Sequence, residues 1–240
     1  SNAAYDATGR VIAEVPAGNR KDIRNAVEAA RAATGWSAAT AYSRAQVLYF
    51  IAENLDKRAD EFVRRIAQLS GKDAPASRLE FDLCIRRVFT YAAMTDKYDS
   101  RVHATPFRNI TLAMREPLGV IGIVAPEEAG LLGFVSTVMP AIAMGNRVVV
   151  VPSQHYALLA TDLYQVLDTS DLPAGVVNIV TGDQEVLGEV LARHLDIEGM
   201  WYWGSRRGSR LGEEAAAAST KRTWVNYGLH HAWPDDEQGQ

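Results

Sequence analysis

A thiol nucleophile, paired acids and an anion cradle are the chemistries that side chains of this sequence could supply. The thiol is Cys84, the only cysteine in the chain. It falls on an apolar helical stripe with Phe81, Ile85 and Val88. A cysteine there is packing, because reactivity needs an accessible, electropositive setting. The paired acids are Glu127 and Glu128. Adjacent carboxylates could act as general bases or metal ligands. No other ligand type lies near them in sequence, and acids at a helix start are favoured by the dipole alone. The cradle is Gly204-Ser205, followed by Arg206, Arg207 and Arg210. Backbone amides at a helix start bind phosphate, although most glycine–serine pairs are only tight turns. A three-glycine dinucleotide fingerprint after a first strand is absent. His230-His231 lacks ligand spacing and reads as tail.

These groups matter only if the elements behind them bring them together. The stretch from Arg115 to Ser153 organises the chain. Val120 to Ala125 is an apolar run between Gly119 and Pro126, the pattern of a strand buried on both faces. Leu131 to Met144 reads as a helix stopped by Gly145. Arg147 to Val151 is a second β-branched strand closed by Pro152. Strand, helix, strand is a right-handed crossover unit, and ligands of such sheets sit beyond the carboxyl ends of the strands. Those ends carry Pro126-Glu127-Glu128 and Pro152-Ser153-Gln154. Further strands are expected at 176–180, 199–203 and 222–226, the third closing on Thr181-Gly182, with helices at 156–167, 184–193 and 206–218. Five strands alternating with helices predict an α/β fold, a Rossmann-like open parallel sheet. Trp201, Tyr202 and Trp203 lie at its carboxyl edge, where they either pack a core or plug a pocket.

The N-terminal hundred residues read as a helical layer. Tyr5 to Val15 alternates as an edge strand or hairpin arm around Thr8-Gly9, and Asp22 to Ala33 is a helix. Ser43 with Gln46, and Ser77 with Glu80, have capping-box spacing. They would start two long helices whose stripes are Val47, Phe50, Ile51 and Leu55, and Phe81, Cys84, Ile85 and Val88. Between these, 58–69 is a third helix ended by Gly71. Residues 101–114 change period to two short strands, a hairpin that needs a partner edge. The resulting division is a helical layer at 1–100, a hairpin at 101–116, a Rossmann-like sheet at 117–230 and a solvated tail at 231–240.

Composition bounds the function. A net charge of −4 with no basic cluster argues against a nucleic-acid partner. No apolar run approaches the roughly 18 residues of a membrane helix. A lone cysteine excludes an internal disulfide and fits a reducing cytosol, so a cytoplasmic setting is expected. Ser1-Asn2-Ala3 has the look of a cleaved expression tag. Without an initiator Met the sequence reads as a piece of a longer chain.

From about Tyr5 to His230 the sequence resembles the aldehyde dehydrogenase superfamily. The resemblance is carried by Asp6-Ala7-Thr8-Gly9-Arg10-Val11-Ile12-Ala13, by Arg58-Ala59-Asp60-Glu61 with Ser70-Gly71-Lys72, by Arg115-Glu116-Pro117-Leu118-Gly119-Val120-Ile121-Gly122, and by Leu172 to Gly182. It implies an NAD(P)-binding sheet plus the first two strands of an oligomerisation extension at 101–114. The departures fall on the working residues. Where the family carries Pro-Trp-Asn, whose Asn stabilises the oxyanion, this chain has Pro126-Glu127-Glu128, and an acid there would repel developing negative charge. The family's ribose-binding Lys and Glu are Val151 and Gln154. Its Thr-Gly-Ser is Trp203-Gly204-Ser205. The general base of its Glu-Leu-Gly-Gly motif is Asn226, which cannot accept a proton. No position matches the nucleophilic Cys.

The resemblance therefore implies a degenerate second module of a two-module aldehyde dehydrogenase, serving assembly. No catalytic residue and no metal ligand is expected. Ser153, Gln154, Gly182, Gly204 and Ser205 are the vestigial cofactor-binding positions, and no cofactor is expected to bind. The expected partners are an upstream catalytic module of the same chain or a second copy, in a homo-oligomer without membrane or nucleic acid. The alternative is the cofactor half of an active NAD(P)-dependent enzyme whose nucleophile lies elsewhere.

Overall fold

The structure, a computed structural model, describes residues 1–98 and 100–235. At its centre lies a five-stranded parallel sheet in the order β7-β6-β5-β8-β9. The strands are β5 (Val120–Val124), β6 (Arg147–Val151), β7 (Val177–Ile179), β8 (Gly199–Tyr202) and β9 (Arg222–Val225). Strand side chains alternate between faces, and here both faces are cores. Ile121, Ile123, Val148 and Val150 enter one, while Val120, Val124, Val149 and Val151 enter the other. That is why the runs are apolar without alternation. Strand order reverses beside β5, between β6 and β8, so the crevice of this doubly wound sheet opens there.

The crossover helices are α6 (Gly130–Ala143), α7 (Ala157–Asp168), α8 (Gln184–Arg193) and α9 (Arg206–Ala216). The first two cover one face and the last two the other. The N-terminal helices are divided between the faces rather than forming one layer. Helix α1 (Arg20–Ala32) packs Ile23, Val27 and Ala30 into the core beneath α8. Helices α2 (Thr34–Ala38), α3 (Ala41–Lys57), α4 (Ala59–Ser70) and α5 (Ala74–Thr95) lie on the opposite face. There they wrap α6, which is buried almost all round.

Both expected capping boxes are displaced. Helix α3 is capped by Thr40, whose hydroxyl accepts from Ser43 N at 3.1 Å. Helix α5 is capped by Asp73, which accepts from Ala76 N at 2.8 Å, with Pro75 in its first turn. In each case a capping group upstream won, three residues before Ser43 and four before Ser77, and Ser77 and Glu80 are buried inside α5. Glu80 instead serves α6. Its Oε1 accepts from Leu131 N and Leu132 N at 3.2 and 3.4 Å, and its Oε2 accepts from Lys72 Nζ at 2.6 Å. Helix α6 needs this because Ala129, at φ 49°, offers no capping side chain. At the other end Arg44 Nε donates to Ala143 O at 3.0 Å.

Two hairpins complete the fold. Strands β1 (Asn2–Tyr5) and β2 (Val11–Val15) pair antiparallel, with Asn2 opposite Val15, so the segment set aside as a tag scar takes part in the strand. Strands β3 (Arg101–His103) and β4 (Thr111–Ala113) form the second, which pairs with no other described strand. Val102, Ile110 and Met114 are 74%, 80% and 71% exposed. No helix is long and apolar enough to cross a membrane among the described residues.

Candidate functional site

The carboxyl ends of β5 and β8 enclose a cleft of about 300 Å³ lined by Glu127, Glu128, Glu185, Trp203, Ser205 and Asn226, with Gln184 and Gly204 among its other walls. Each lining group has a local reason to be there, and most are already engaged. Ser205 is the N-cap of α9. Its hydroxyl accepts from Gly208 N at 3.0 Å and donates to Glu185 Oε1 at 2.6 Å. A carboxylate of the chain thus stands beside the helix N-terminus that would receive a ligand's phosphate. Gln184 is buried and donates to Ala125 O at 2.7 Å, tying α8 to the end of β5.

Asn226 closes its own turn. Its Nδ2 donates to Leu229 O at 3.1 Å and its Oδ1 accepts from Gly228 N at 3.2 Å. That turn places Tyr227 at φ 55° and Gly228 at φ 67°. Glu128 receives Trp233 Nε1 at 3.3 Å and lies 3.7 Å from His230 Nδ1. The chain after β9 therefore folds back across the cleft mouth.

The three consecutive aromatics pack into the cores on the two faces of the sheet. Tyr202 is buried on the α8–α9 side against Gly188, Gly204 and Gly208, where a Cβ on any of the three would clash with its ring. Burial raises its hydroxyl pKa. Trp203 points to the other face and meets Trp224, Trp233 and His231 at ring distances of 4.9, 5.0 and 5.3 Å. Its Nε1 is buried without a partner among the described residues. Trp201 stacks edge-on to Trp224 at 5.4 Å. His231, read as tail, belongs to this cluster; Trp233, 3% exposed, anchors it. Of the expected tail, residues 236–240 lie outside the described residues.

Of the five vestigial positions, the cleft brings together Gly204 and Ser205. Ser153 is buried at the end of β6, its hydroxyl unpartnered among the described residues, and Gln154 is exposed. Gly182, at φ 156°, packs against Gly18 and Leu187. Cys84 is fully buried, and burial raises its thiol pKa well above the ordinary value, so it is inert. Among the described residues no group of three His, Cys, Asp or Glu side chains is placed to hold a metal ion. The residues sequence reasoning missed are Gln184, Glu185, Glu80 and Trp233. Asp183 as N-cap of α8 was the available signal for the first two, since it fixes where the following side chains point.

A doubly wound sheet with a switch-point cleft defines a dinucleotide-domain architecture, and the sequence comparisons specify which. The aldehyde dehydrogenase family profile matches residues 2–233, and the chain belongs to that family. It is 34% identical over 216 residues to a hydroxyisobutyraldehyde dehydrogenase of Mycolicibacterium austroafricanum, covering 88% of this chain and 43% of that protein. It is 32% identical over 222 residues to the NADP/NAD-dependent aldehyde dehydrogenase PuuC of Escherichia coli (strain K12), covering 90% and 45%. An apo indole-3-acetaldehyde dehydrogenase superposes with a TM-score of 0.89 at 28% identity, over 95% of this chain and 53% of that one. The P. syringae indole-3-acetaldehyde dehydrogenase in complex with NAD+ and IAA superposes with a TM-score of 0.88 at 28% identity, over 93% and 46%. The chain thus spans about half the length or less of the relatives it matches.

Proposed function

We propose that this chain is a non-catalytic aldehyde-dehydrogenase module that serves assembly, docking on a catalytic aldehyde dehydrogenase module of the same protein or on a second copy. The observation that carries the reading is the Ser205–Glu185 hydrogen bond at 2.6 Å. A carboxylate held against the N-cap hydroxyl of α9 stands beside the anion position and repels a pyrophosphate. The rest of the cleft agrees. Its volume of about 300 Å³ is at the bottom of the range for small-ligand sites, roughly 300–1,000 Å³, and a dinucleotide is a large ligand. Glu127 and Glu128 would destabilise an oxyanion rather than stabilise it. Asn226 has no proton-accepting carboxylate, and its amide is spent on its own turn. Cofactor binding seen in relatives does not carry over to a cleft filled this way.

The test is calorimetric titration of the chain with NAD+ and NADP+, together with an assay for aldehyde-dependent reduction of either. The expected result is no saturable binding below about 1 mM and no turnover. Micromolar binding, or turnover by the isolated chain, overturns the reading.

A second reading rests on the lengths. The relatives are more than twice as long as the matched stretch, so this chain could be the cofactor half of an active NAD(P)-dependent enzyme. It requires that Glu185 release Ser205 when cofactor arrives. It predicts that Glu128→Ala or Asn226→Ala abolishes dehydrogenase activity of the full-length protein, whereas the assembly reading predicts no effect on that activity.

A further inference from the structure

The segment that folds back across the cleft mouth, residues 226–233, is firm at its root and lightly tied beyond it. At the root, Tyr227 N donates to Ser209 Oγ at 3.1 Å and the Tyr227 hydroxyl donates to Glu213, both on α9. From Leu229 to Trp233, no backbone hydrogen bond reaches the body of the fold among the described residues. Leu229 N donates to Asn226 O at 3.0 Å and Trp233 N to His231 O at 2.9 Å, both inside the segment. Side chains do the holding. Trp233 Nε1 donates to Glu128 Oε2 at 3.3 Å, and His230 Nδ1 lies 3.7 Å from Glu128 Oε1. The His231 and Trp233 rings rest on Trp203. The polar ties from this stretch to the body thus converge on one carboxylate.

The closed position also carries costs of its own. Trp203 Nε1 is buried with no acceptor among the described residues. A buried donor without a partner disfavours the state that buries it, and water satisfies it on opening. Tyr227 sits at φ 55°, a left-handed conformation that a side chain disfavours, and Gly228 at φ 67° takes the same region freely. Ring contacts and Glu128 work against these costs. A stretch with so few backbone bonds to its surroundings opens locally while the rest stays folded. Glu128 therefore has a part to play where an oxyanion site would have no use for an acid: a carboxylate is a strong acceptor for an indole N–H. Its neighbour Glu127 makes no hydrogen bond or ion pair among the described residues.

We propose that residues 228–233 form a strap that opens and closes the cleft, pivoting at Tyr227-Gly228 and latched by Glu128. Closed, the strap engages Glu128 and covers Trp203; open, it returns both to the cleft. The test uses the full 240-residue chain. Chymotrypsin cleavage between Tyr227 and Trp233, followed by mass spectrometry, reads the open fraction, because cleavage tracks the population of the open form. Glu128→Ala should speed it at least about tenfold, the effect of losing a hydrogen bond to a charged acceptor. Glu128→Gln keeps an acceptor for Trp233 and should speed it less. Glu127→Gln should leave it unchanged. Fluorine NMR spectra of the same chains labelled with fluorotryptophan locate the opening. The Trp203 and Trp233 signals should move toward the solvent-exposed position in Glu128→Ala. Trp36, on α2 with its Nε1 donating to Ile142 O at 2.9 Å, should stay fixed. Cleavage unchanged in Glu128→Ala overturns the proposal, and so does Glu127→Gln acting as strongly. Movement of Trp36 together with the other two overturns it as well, since the whole fold would then be loosening. None of these outcomes involves docking, so the assembly reading stands or falls separately.

Discussion

Glu80 shows how much one side chain can hold in this fold. Its two oxygens serve two amides of α6 and the ammonium of Lys72, and it is 5% exposed. Removing one partner of a buried charge pair leaves the other uncompensated, typically at a cost of about 3–5 kcal/mol. Lys72 is partly exposed and can turn to water, which brings the expected loss for Glu80→Ala down to about 2–3 kcal/mol. Urea unfolding of Glu80→Ala and Glu80→Gln would check this. Gln keeps an acceptor for the α6 amides and should lose less. Equal losses would mean that the amides contribute nothing and the ion pair everything. Tyr202 is the corresponding residue on the other face. Three glycines are small to admit its ring, so Gly208→Ala should destabilise the fold even though a helix ordinarily prefers alanine to glycine.

Among the elements, the end of α8 carries the clearest pH dependence. The His194 imidazole is held below its ordinary pKa of 6.5, by burial first and by Lys221 and Arg31 nearby, with Asp196 and Glu28 opposing. Its Nδ1 accepts from Asp196 N at 3.2 Å, which requires the neutral ring. The folded pKa is therefore below the unfolded one, and the unfolded chain takes up the proton first. Stability contributed by neutral His194 is present above about pH 6.5 and is lost as pH falls through that value toward the depressed folded pKa. Unfolding midpoints measured from pH 8 to pH 5 should show this fall, and His194→Gln should flatten it. Lys221 closes the same end, donating to His194 O and Ile197 O at 2.5 and 2.7 Å, with its own pKa lowered by burial. The β3–β4 hairpin is different: it pairs with no other strand among the described residues and presents its apolar side chains to water.

At the scale of the whole molecule, that hairpin is where the proposed assembly is most exposed to test. A hairpin edge unpaired among the described residues, with Val102 and Leu112 on its strands and Ile110 and Met114 flanking β4, all exposed, is a template for another strand. Ile110→Lys with Leu112→Lys should therefore lower the association state seen by sedimentation. It should leave monomer stability within about 0.5 kcal/mol, as surface changes do. Association unchanged in the variant would remove the hairpin from the interface. The aromatic cluster of Trp203, Trp224, His231 and Trp233 supplies a readout of the cleft, since tryptophan emission reports whether the segment over the cleft mouth stays in place.

Much of this protein was legible in its sequence. Apolar runs bounded by Gly and Pro mark β5 and β6, Gly145 marks the end of α6, and helix α8 falls on its expected residues, because backbone propensity and burial on both faces act locally. The family followed from local motifs. What tertiary structure decided was partnership. Glu80 became a cap for a helix 50 residues away, Glu185 took the hydroxyl of Ser205, and Trp233 and His231 left the supposed tail to pack on Trp203. No sequence spacing encodes these contacts. A buried polar group or an uncovered ring takes whichever partner the packed chain brings within reach, and that is set only when the whole sheet and its helices close.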